Sequence, residues 1–441
     1  MLYTVGLYTL GCKVSQYETE AIAEGFSASG FTVCPFEEKN DVYVINTCTV
    51  TAESDRKSRQ MIRRAIKKNP DAVVCALGCY TQRSYAEVAK IDGVDIVLGT
   101  DGKMSVVELA KKKLSERSGG DTFVSVTDVS QAEFEPMKIE RAPRTRAYIK
   151  IEDGCESKCT YCAIADARGR VRSKPPRDVI AEVEALSASG VCEIVLTGIE
   201  TGSYGRDFDY EYTLADLICE LDARKSCKRI RLGSLAPELI GEKFVEKIKN
   251  VKILAPHFHL SVQSGSNTIL RKMTRRYSIE RALENIDRLR AAFPGATFTT
   301  DLMVGFPGEG EREFSESFDF VSRAGLLDAH VFAYSRRTGT EAAEYPDQIP
   351  ENIKHERSSR LIKEKNRVRD EILRGMVDAG CELSCILETR HPDGTYTAHT
   401  DTYAELSVCT LCERDMSGEM VWVYPVSTKD GIIYAQMREN N

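Results

Sequence analysis

The chain reads YIKIEDGCESKCTYC from Tyr148 to Cys162, an apolar strand that runs directly into a polar loop with three cysteines. The thiols of Cys155, Cys159 and Cys162 can ligate one face of a four-iron, four-sulfur cube. The fourth iron then lacks a cysteine and stays open for a substrate or cofactor. A zinc site that takes its fourth ligand from elsewhere is the alternative. The missing local fourth ligand favours iron–sulfur.

Around this loop, strands and helices alternate from about residue 146 onward. Six strands are predicted, with helical patterns between them: Tyr148–Ile151, Glu193–Leu196, Arg229–Leu232, Phe258–Ser261, Thr297–Val304 and Ala329–Phe332. This alternation is typical of a barrel or partial barrel of the (β/α) type. The three-cysteine loop follows the first strand, and the carboxyl-terminal mouth of such a barrel is where chemistry is expected.

A second set of cysteines follows three strands of the amino-terminal region. Cys12 comes after the strand at residues 3–10, Cys48 after the strand at 42–45, and Cys79 after the strand at 72–77. Continuous apolar strands that alternate with helices predict an open parallel α/β sheet, whose carboxyl ends face one side. Each cysteine taken alone is better interpreted as a small hydrophobic residue of the core. The three together predict a second cluster, again with one open iron.

The rest of the chain divides around these two regions. We predict domains at residues 1–115 and 144–373, with a linker at 116–143 that Gly119-Gly120, Pro136 and Pro143 interrupt. Five short strands after residue 381 predict a small antiparallel barrel at 374–441. Its cysteine pairs, Cys381 with Cys385 and Cys409 with Cys412, lack further ligands, so we interpret them as core or loop residues.

Composition limits the classes of function. The net charge is −7, which excludes a general attraction to nucleic acid and leaves only local basic patches. Fifteen cysteines in a chain without a recognisable signal peptide or membrane span indicate metal ligation or catalysis rather than disulfides. We therefore expect a cytosolic protein without a membrane partner.

At these cysteines the chain resembles the radical S-adenosylmethionine methylthiotransferases. The motif Cys155-x3-Cys159-x2-Cys162 matches their radical motif, and Cys12, Cys48 and Cys79 match the cysteines of their amino-terminal domain. The tail looks like their RNA-binding TRAM domain, which has an OB-like barrel. The stretches at residues 9–20, 46–51, 257–266 and 334–337 look like the subgroup that acts on N6-threonylcarbamoyladenosine in tRNA.

The resemblance implies two [4Fe–4S] clusters and S-adenosylmethionine as cofactors. The open iron of the Cys155 cluster would chelate S-adenosylmethionine, and reductive cleavage would give a radical that abstracts hydrogen from C2 of the adenosine beside the anticodon. The Cys12 cluster would hold the sulfur that is transferred. The partner is then the tRNA anticodon stem-loop. The reaction also needs an electron donor and a sulfur donor, and no motif identifies either.

Several further residues are candidates for binding. Tyr161 is expected beside the adenine of the cofactor or packed on the barrel, and Thr197-Gly198 beside the methionine end or in a plain strand-end turn. The helix at 51–68 has a basic side suited to phosphates, and a second basic stretch comprises Lys138, Arg141, Arg144, Arg146 and Lys150. Tyr396, Tyr403 and Trp422 are candidates for base stacking or for the core of the tail barrel.

Three sites depart from the subgroup pattern: Ser15 replaces an asparagine, Ala165-Asp166 a proline–tyrosine pair, and Ala236 a glutamate. Two alternatives remain open at this point. One is a methylthiotransferase of isopentenyladenosine or of a ribosomal protein, and the other is a non-catalytic RNA-binding metalloprotein.

Overall fold

The computed structural model describes residues 3–116, 121–142 and 145–438. Its first region is a parallel sheet in the order β2-β1-β3-β4-β5-β6. The strands are β1 Thr4–Thr9, β2 Thr32–Cys34, β3 Val42–Thr47, β4 Val73–Gly78, β5 Ile96–Leu98 and β6 Phe123–Ser125. The helices are α1 Lys13–Ala28, α2 Ala52–Lys68, α3 Cys79–Val88 and α4 Val106–Glu116.

The central strands of this sheet are buried on both faces. Every residue of β3 and β4 is buried, which explains their continuous apolar sequence. Strand β6 lies inside the segment predicted as a linker and pairs with β5 at the edge of the sheet. Gly119-Gly120 and Pro143, which suggested the linker, lie outside the described residues.

The second region is a partial barrel of six parallel strands. Its main strands are β7 Arg146–Lys150, β10 Glu193–Thr197, β11 Arg229–Leu232, β12 His257–Gln263, β13 Thr297–Val304 and β14 Asp328–Ala333, with a small β-ribbon of β8 Glu152–Asp153 and β9 Arg172–Ser173. Two three-stranded sheets, β11-β10-β7 and β12-β13-β14, meet through a parallel bridge between Leu235 and Leu260. The strands therefore follow one another in sequence order around an open barrel.

Helices alternate with these strands along the chain, as the βα pattern predicts. They are α5 Ile164–Arg168, α6 Pro176–Ala188, α7 Leu214–Arg224, α8 Glu242–Ile248, α9 Asn267–Lys272, α10 Ile279–Ala292, α11 Glu311–Ala324 and α12 Glu351–Ala379. The last of these is a 29-residue helix that leads into the tail.

The tail forms a closed barrel in the order β15-β16-β17-β19-β18. Its strands are β15 Leu383–Arg390, β16 Tyr396–Thr400, β17 Glu405–Cys409, β18 Met420–Lys429 and β19 Ile432–Met437. The pairing of β17 with β19 is parallel, whereas the other pairings are antiparallel. The three-part mixed α/β fold class predicted from the sequence is confirmed. No helix within the described ranges is both long and apolar enough to cross a membrane.

Candidate active site

Three neighbouring strands bring Cys12, Cys48 and Cys79 to one edge of the amino-terminal sheet. Thr9 pairs with Asn46, and Thr47 pairs with Gly78. Neighbouring strands lie about 4.8 Å apart, and each cysteine follows within three residues of its strand end. The parallel sheet therefore collects the three thiols at its carboxyl edge, as the sequence predicts.

The thiols of this first trio are close enough to affect one another. A Cβ atom added to Gly11 would lie 2.9 Å from Sγ of Cys48, and Gly11 has a φ of +107°. Burial raises the pKa of the Cys48 thiol to about 11, and negative charge on Cys79 and Cys12 adds to that increase. Burial also raises the pKa of Cys79. A glycine next to Cys12 thus lets the Cys48 sulfur lie against the backbone.

The second trio lies in the loop between β8 and α5. The Cys162 amide donates to the Cys159 carbonyl at 3.0 Å, which closes a tight turn. The amide of Ile164 donates to Sγ of Cys162 at 3.4 Å. Burial raises the pKa of Cys155 to about 11 and that of Cys162 to about 12. Arg275 donates from Nη1 to Sγ of Cys159 at 3.4 Å.

These donor sets fit iron–sulfur clusters. Within the described part of the chain, no three His, Cys, Asp or Glu side chains converge on a position for one metal ion. A four-iron cube instead takes one thiolate on each of several irons. Ligand thiols must lose their protons, and bound metal supplies the positive charge that buried thiolates need. Arg275 at Cys159 and Arg168 at Cys79 already place one cation beside each trio.

The two cysteine-bearing regions meet at the junction of the sheet and the barrel. Arg168, at the end of α5, donates from Nε to Sγ of Cys79 at 3.1 Å. On the other side of the junction, Arg337 donates to Oγ1 of Thr49 at 2.6 Å and pairs with Asp55 at 2.8 Å. Arg337 thereby fastens the loop after β14 to the loop that follows Cys48.

Two buried carboxylates line the barrel mouth beside Cys155. The backbone N–H of Glu200 donates to Oε2 of Glu152 at 2.8 Å, and that of Ala236 donates to Oε1 of Glu200 at 3.0 Å. Oε1 of Glu152 is buried without a hydrogen-bond partner among the described residues. Burial raises the pKa of Glu200 to about 7 and that of Glu152 well above its usual range. Neither residue was predicted from the sequence, although an acidic residue just past the Thr197-Gly198 strand end was a usable signal.

The predicted cofactor residues lie around the same mouth. Tyr161 makes an edge-on contact with Phe306, with ring centroids 6.5 Å apart. Thr197 is buried at the end of β10. A Cβ atom on Gly198 would collide with the Glu152 carboxylate, so that the absence of a side chain there makes room for Glu152.

The three departures from the family pattern have separate structural settings. Ser15 is buried in α1, and its hydroxyl lies 3.7 Å from Sγ of Cys12. Ala165-Asp166 forms the first turn of α5, which the amide of Gly169 closes by donating to the Ala165 carbonyl at 2.8 Å. Ala236 contributes its backbone N–H to Glu200.

The candidate RNA contacts divide into available and unavailable side chains. Arg146 pairs with Glu193 at 3.0 Å, and Lys150 pairs with Glu18 at 3.2 Å in the interior. Their interpretation as phosphate ligands was wrong, because the alternating charges of this stretch do not reveal buried partners far along the chain. Lys138 is exposed but pairs with Glu140, and Arg144 lies outside the described residues.

In the tail, the three aromatic candidates have different environments. Tyr396 is fully buried in the barrel core, which matches the alternative given for it. Tyr403 stacks on His257 of the partial barrel at 4.6 Å between ring centroids. Trp422 is 52% exposed on β18, and Tyr424 and Val426 on the same strand and Tyr434 on β19 are exposed as well.

The comparisons with known proteins match both halves of this site. Residues 149–321 match the Radical SAM superfamily, and residues 4–99 match the Uncharacterized protein family UPF0004. The threonylcarbamoyladenosine tRNA methylthiotransferase MtaB of Bacillus subtilis is 41% identical over 95% of this chain and 93% of its own length. The chain belongs to the radical S-adenosylmethionine methylthiotransferase family. The family resemblance seen in the sequence is thus confirmed.

Other relatives place the chain within this family. MtaB of Aquifex aeolicus is 38% identical over 82% of this chain and 87% of its own length. The tRNA-2-methylthio-N(6)-dimethylallyladenosine synthase of Thermoanaerobacter pseudethanolicus is 35% identical over 82% of this chain and 77% of its own length. Among solved structures, the radical S-adenosylmethionine methyltransferase TsrM from Kitasatospora setae has a TM-score of 0.58 at 17% identity, over 78% of this chain and 77% of TsrM. That likeness supports the fold.

Membership of a radical S-adenosylmethionine family implies a [4Fe–4S] cluster and S-adenosylmethionine as cofactors.

Proposed function

We propose that the protein adds a methylthio group to C2 of N6-threonylcarbamoyladenosine beside the anticodon of tRNA. The relatives named for this substrate are 37–41% identical to the chain. The observation that supports the proposal is the contact between the two cysteine-bearing regions, where Arg168, in the helix that follows the second loop, donates to Sγ of Cys79 in the first trio. A cytoplasmic location is part of this proposal, because the proposed substrate is tRNA.

We further propose two [4Fe–4S] clusters, held by Cys12, Cys48 and Cys79 and by Cys155, Cys159 and Cys162. When bound, the clusters and S-adenosylmethionine supply radical and sulfur chemistry that acid–base side chains cannot provide. The chain's own contribution is to orient the ligands and to exclude water. Cys48 and Cys79 are buried, and hydrogen bonds to ligand sulfurs fix the positions of Cys79 and Cys159.

The mouth of the barrel suits a cationic cofactor. S-adenosylmethionine carries a sulfonium and an ammonium group, and a positive charge next to a buried carboxylate favours its ionised form. Glu152 and Glu200 provide carboxylates there, and burial opposes their ionisation. We propose that these two residues, together with Tyr161, Thr197 and Gly198, line the S-adenosylmethionine pocket.

Two surfaces support binding of the tRNA anticodon stem-loop. Helix α2 begins four residues after Cys48, and its side chains Lys57, Arg63 and Lys67 make no ion pair with a described residue. Cations of this kind attract phosphates. On the tail barrel, Trp422, Tyr424 and Tyr434 are exposed aromatic rings, which suit base stacking.

The test is anaerobic reconstitution followed by analysis of tRNA nucleosides. The loaded protein should contain about eight irons per chain, four for each cluster. With S-adenosylmethionine, a reductant and a sulfur source, it should convert N6-threonylcarbamoyladenosine to its 2-methylthio derivative in tRNA from a strain that lacks this modification. Mass spectrometry of the digested tRNA is the measurement.

Two cysteine variants provide the matched comparison. Cys12→Ala should lose about half of the iron, because one cluster loses a ligand. Cys34→Ala should keep all the iron and the activity, because Cys34 ends the edge strand β2. Methylthiolation of isopentenyladenosine alone would show that the proposed target is wrong. A colourless, zinc-loaded protein would refute the clusters.

A further inference from the structure

The Arg168 guanidinium is fully buried and contacts both halves of the molecule. Its Nε atom donates to Sγ of Cys79 at 3.1 Å. Its Nη1 atom donates to Oε1 of Glu18 at 2.7 Å and to Oδ1 of Asp153 at 3.0 Å. Helix α1, which contains Glu18, starts directly after Cys12, and Asp153 lies two residues before Cys155. One side chain therefore connects segments that carry cysteines of both trios.

The buried charges around Arg168 do not balance without a sulfur anion. Lys103 and Lys150 are buried with it, and the carboxylates are Glu18 and Asp153. Three cations thus face two carboxylates. Both carboxylates are paired with these cations: Glu18 and Asp153 each accept a hydrogen bond from Arg168 and each lie within 3.3 Å of Nζ of Lys150.

The flanking groups do not remove this surplus. Arg172 lies 3.7 Å from Asp153, and Glu135, on the other side, interacts with Lys150 and Lys103. Their charges offset each other. Within the part of the chain that the structure describes, one buried positive charge remains, and a buried charge without a partner is costly. The acceptor that Arg168 faces is Sγ of Cys79, which becomes an anion when it ligates iron.

We propose that Arg168 is a positioning residue that raises the reduction potential of the amino-terminal cluster and fixes that cluster relative to the radical loop. This inference rests on the proposed ligation of that cluster by Cys12, Cys48 and Cys79. Reduction adds one electron to the cluster. A hydrogen bond to a ligand sulfur and a nearby positive charge both favour the more negative, reduced state, so the potential rises.

The experiment uses the full chain with Cys155, Cys159 and Cys162 all replaced by alanine, so that only the amino-terminal cluster assembles. Iron is measured first, and about four irons per chain are expected. Redox titration with dithionite, monitored by electron paramagnetic resonance, then gives the midpoint potential. Absence of iron in this background would refute the proposed ligation itself, which separates that failure from failure of the present inference.

Three substitutions in this background test the role of Arg168. Arg168→Met removes the charge and the hydrogen bond, and the potential should shift to a lower value. Arg168→Lys keeps the charge but loses the guanidinium geometry, and it should give a smaller shift in the same direction. Glu18→Gln increases the surplus positive charge, and the potential should rise.

The matched control is Arg170→Met. Arg170 lies two residues after Arg168 and is exposed, so this variant removes the same charge from the surface. Its potential should equal that of the background protein. Equal potentials in Arg168→Met and the background would overturn the inference, as would an equal shift in Arg170→Met. If Arg168→Met does not assemble a cluster, Arg168→Lys and Glu18→Gln decide, because unchanged potentials in both would contradict the proposed role.

Discussion

Arg275 links Cys159 to the backbone of strand β12. Its Nη1 atom donates to Sγ of Cys159 at 3.4 Å, and its Nη2 atom donates to the carbonyl of Ser261 at 2.8 Å. The same guanidinium lies over the ring of Tyr277 at 5.2 Å. Strand β12 thus orients Cys159, a proposed cluster ligand, although about a hundred residues of sequence separate them.

This contact predicts a defect in cofactor cleavage. Arg275→Met removes the donor to Cys159 and should reduce reductive cleavage of S-adenosylmethionine by roughly 10- to 100-fold, as is usual for residues that orient metal ligands. Formation of 5′-deoxyadenosine under dithionite, measured by chromatography, is the assay. Arg276→Met is the control, because Arg276 is exposed. Equal loss in both variants would contradict the assigned role.

Replacement of the Glu200 carboxyl is expected to stabilise the protein, by an amount that depends on pH. Burial raises its pKa to about 7, above the usual value of about 4.3 in an unfolded chain. Glu200 therefore binds its proton more tightly in the folded state than in the unfolded state. This difference favours folding fully below about pH 4, and the favourable contribution to the free energy of unfolding is lost as the pH rises through 7. Glu200→Gln should stabilise the cluster-free protein by on the order of 3 kcal/mol at pH 8 but by only about 1 kcal/mol at pH 5.

Thermal unfolding of the cluster-free protein at the two pH values measures this difference. Glu211→Gln is the matched control, because Glu211 is exposed and its replacement removes the same charge. A gain of the same size at pH 5 and pH 8 would show that ionisation of Glu200 is not the cause.

Substitution of Gly11 is expected to remove one of the two clusters selectively. In Gly11→Ala the new Cβ atom would lie 2.9 Å from Sγ of Cys48, so the sulfur must move. Iron should fall from about eight to about four per chain, because only the radical cluster remains. Gly30→Ala is the control, since Gly30 also has a positive φ, of +86°, but a Cβ atom there meets nothing within 4 Å. Iron content that is equal in both variants would refute the steric argument.

The convergence of the cysteines was predictable because it depends on local pattern. Strands β3 and β4 are continuous apolar runs, and a cysteine follows each at once. Parallel strands then bring those cysteines to one edge without any knowledge of side-chain contacts. The same reasoning placed Cys155 at the end of the first barrel strand.

The buried ion cluster was not predictable because its members look like surface residues. Glu18 lies in an amphipathic helix, and Arg168 lies 150 positions further along the chain. Charged side chains are rarely fully buried, so the sequence alone favours solvent for both. Only tertiary packing brings their charges together: α5 packs against α3, and Arg168 at the end of α5 reaches Glu18 on α1. Strand β6 was missed for a related reason: all three of its residues are exposed, so it lacks an alternating pattern.

The tail barrel predicts a stacking contribution to RNA affinity. Trp422 is 52% exposed on β18, whereas Tyr396 is fully buried and is unavailable for bases. Trp422→Ala should weaken binding of the anticodon stem-loop by about 1–3 kcal/mol, the usual value for one stacked base.

Arg63→Gln on α2 should instead reduce the salt dependence of binding, with a change in slope of about one.

Fluorescence anisotropy with a labelled stem-loop at several salt concentrations separates these two effects. Loss of stacking should lower the affinity by a similar factor at every salt concentration, since no phosphate contact changes. Leu411→Ala is the control for the tail, because Leu411 is 88% exposed but has no ring to stack on a base. If Leu411→Ala weakens binding as much as Trp422→Ala does, the contact is a general apolar one. The aromatic face of β18 would then not be the stacking surface.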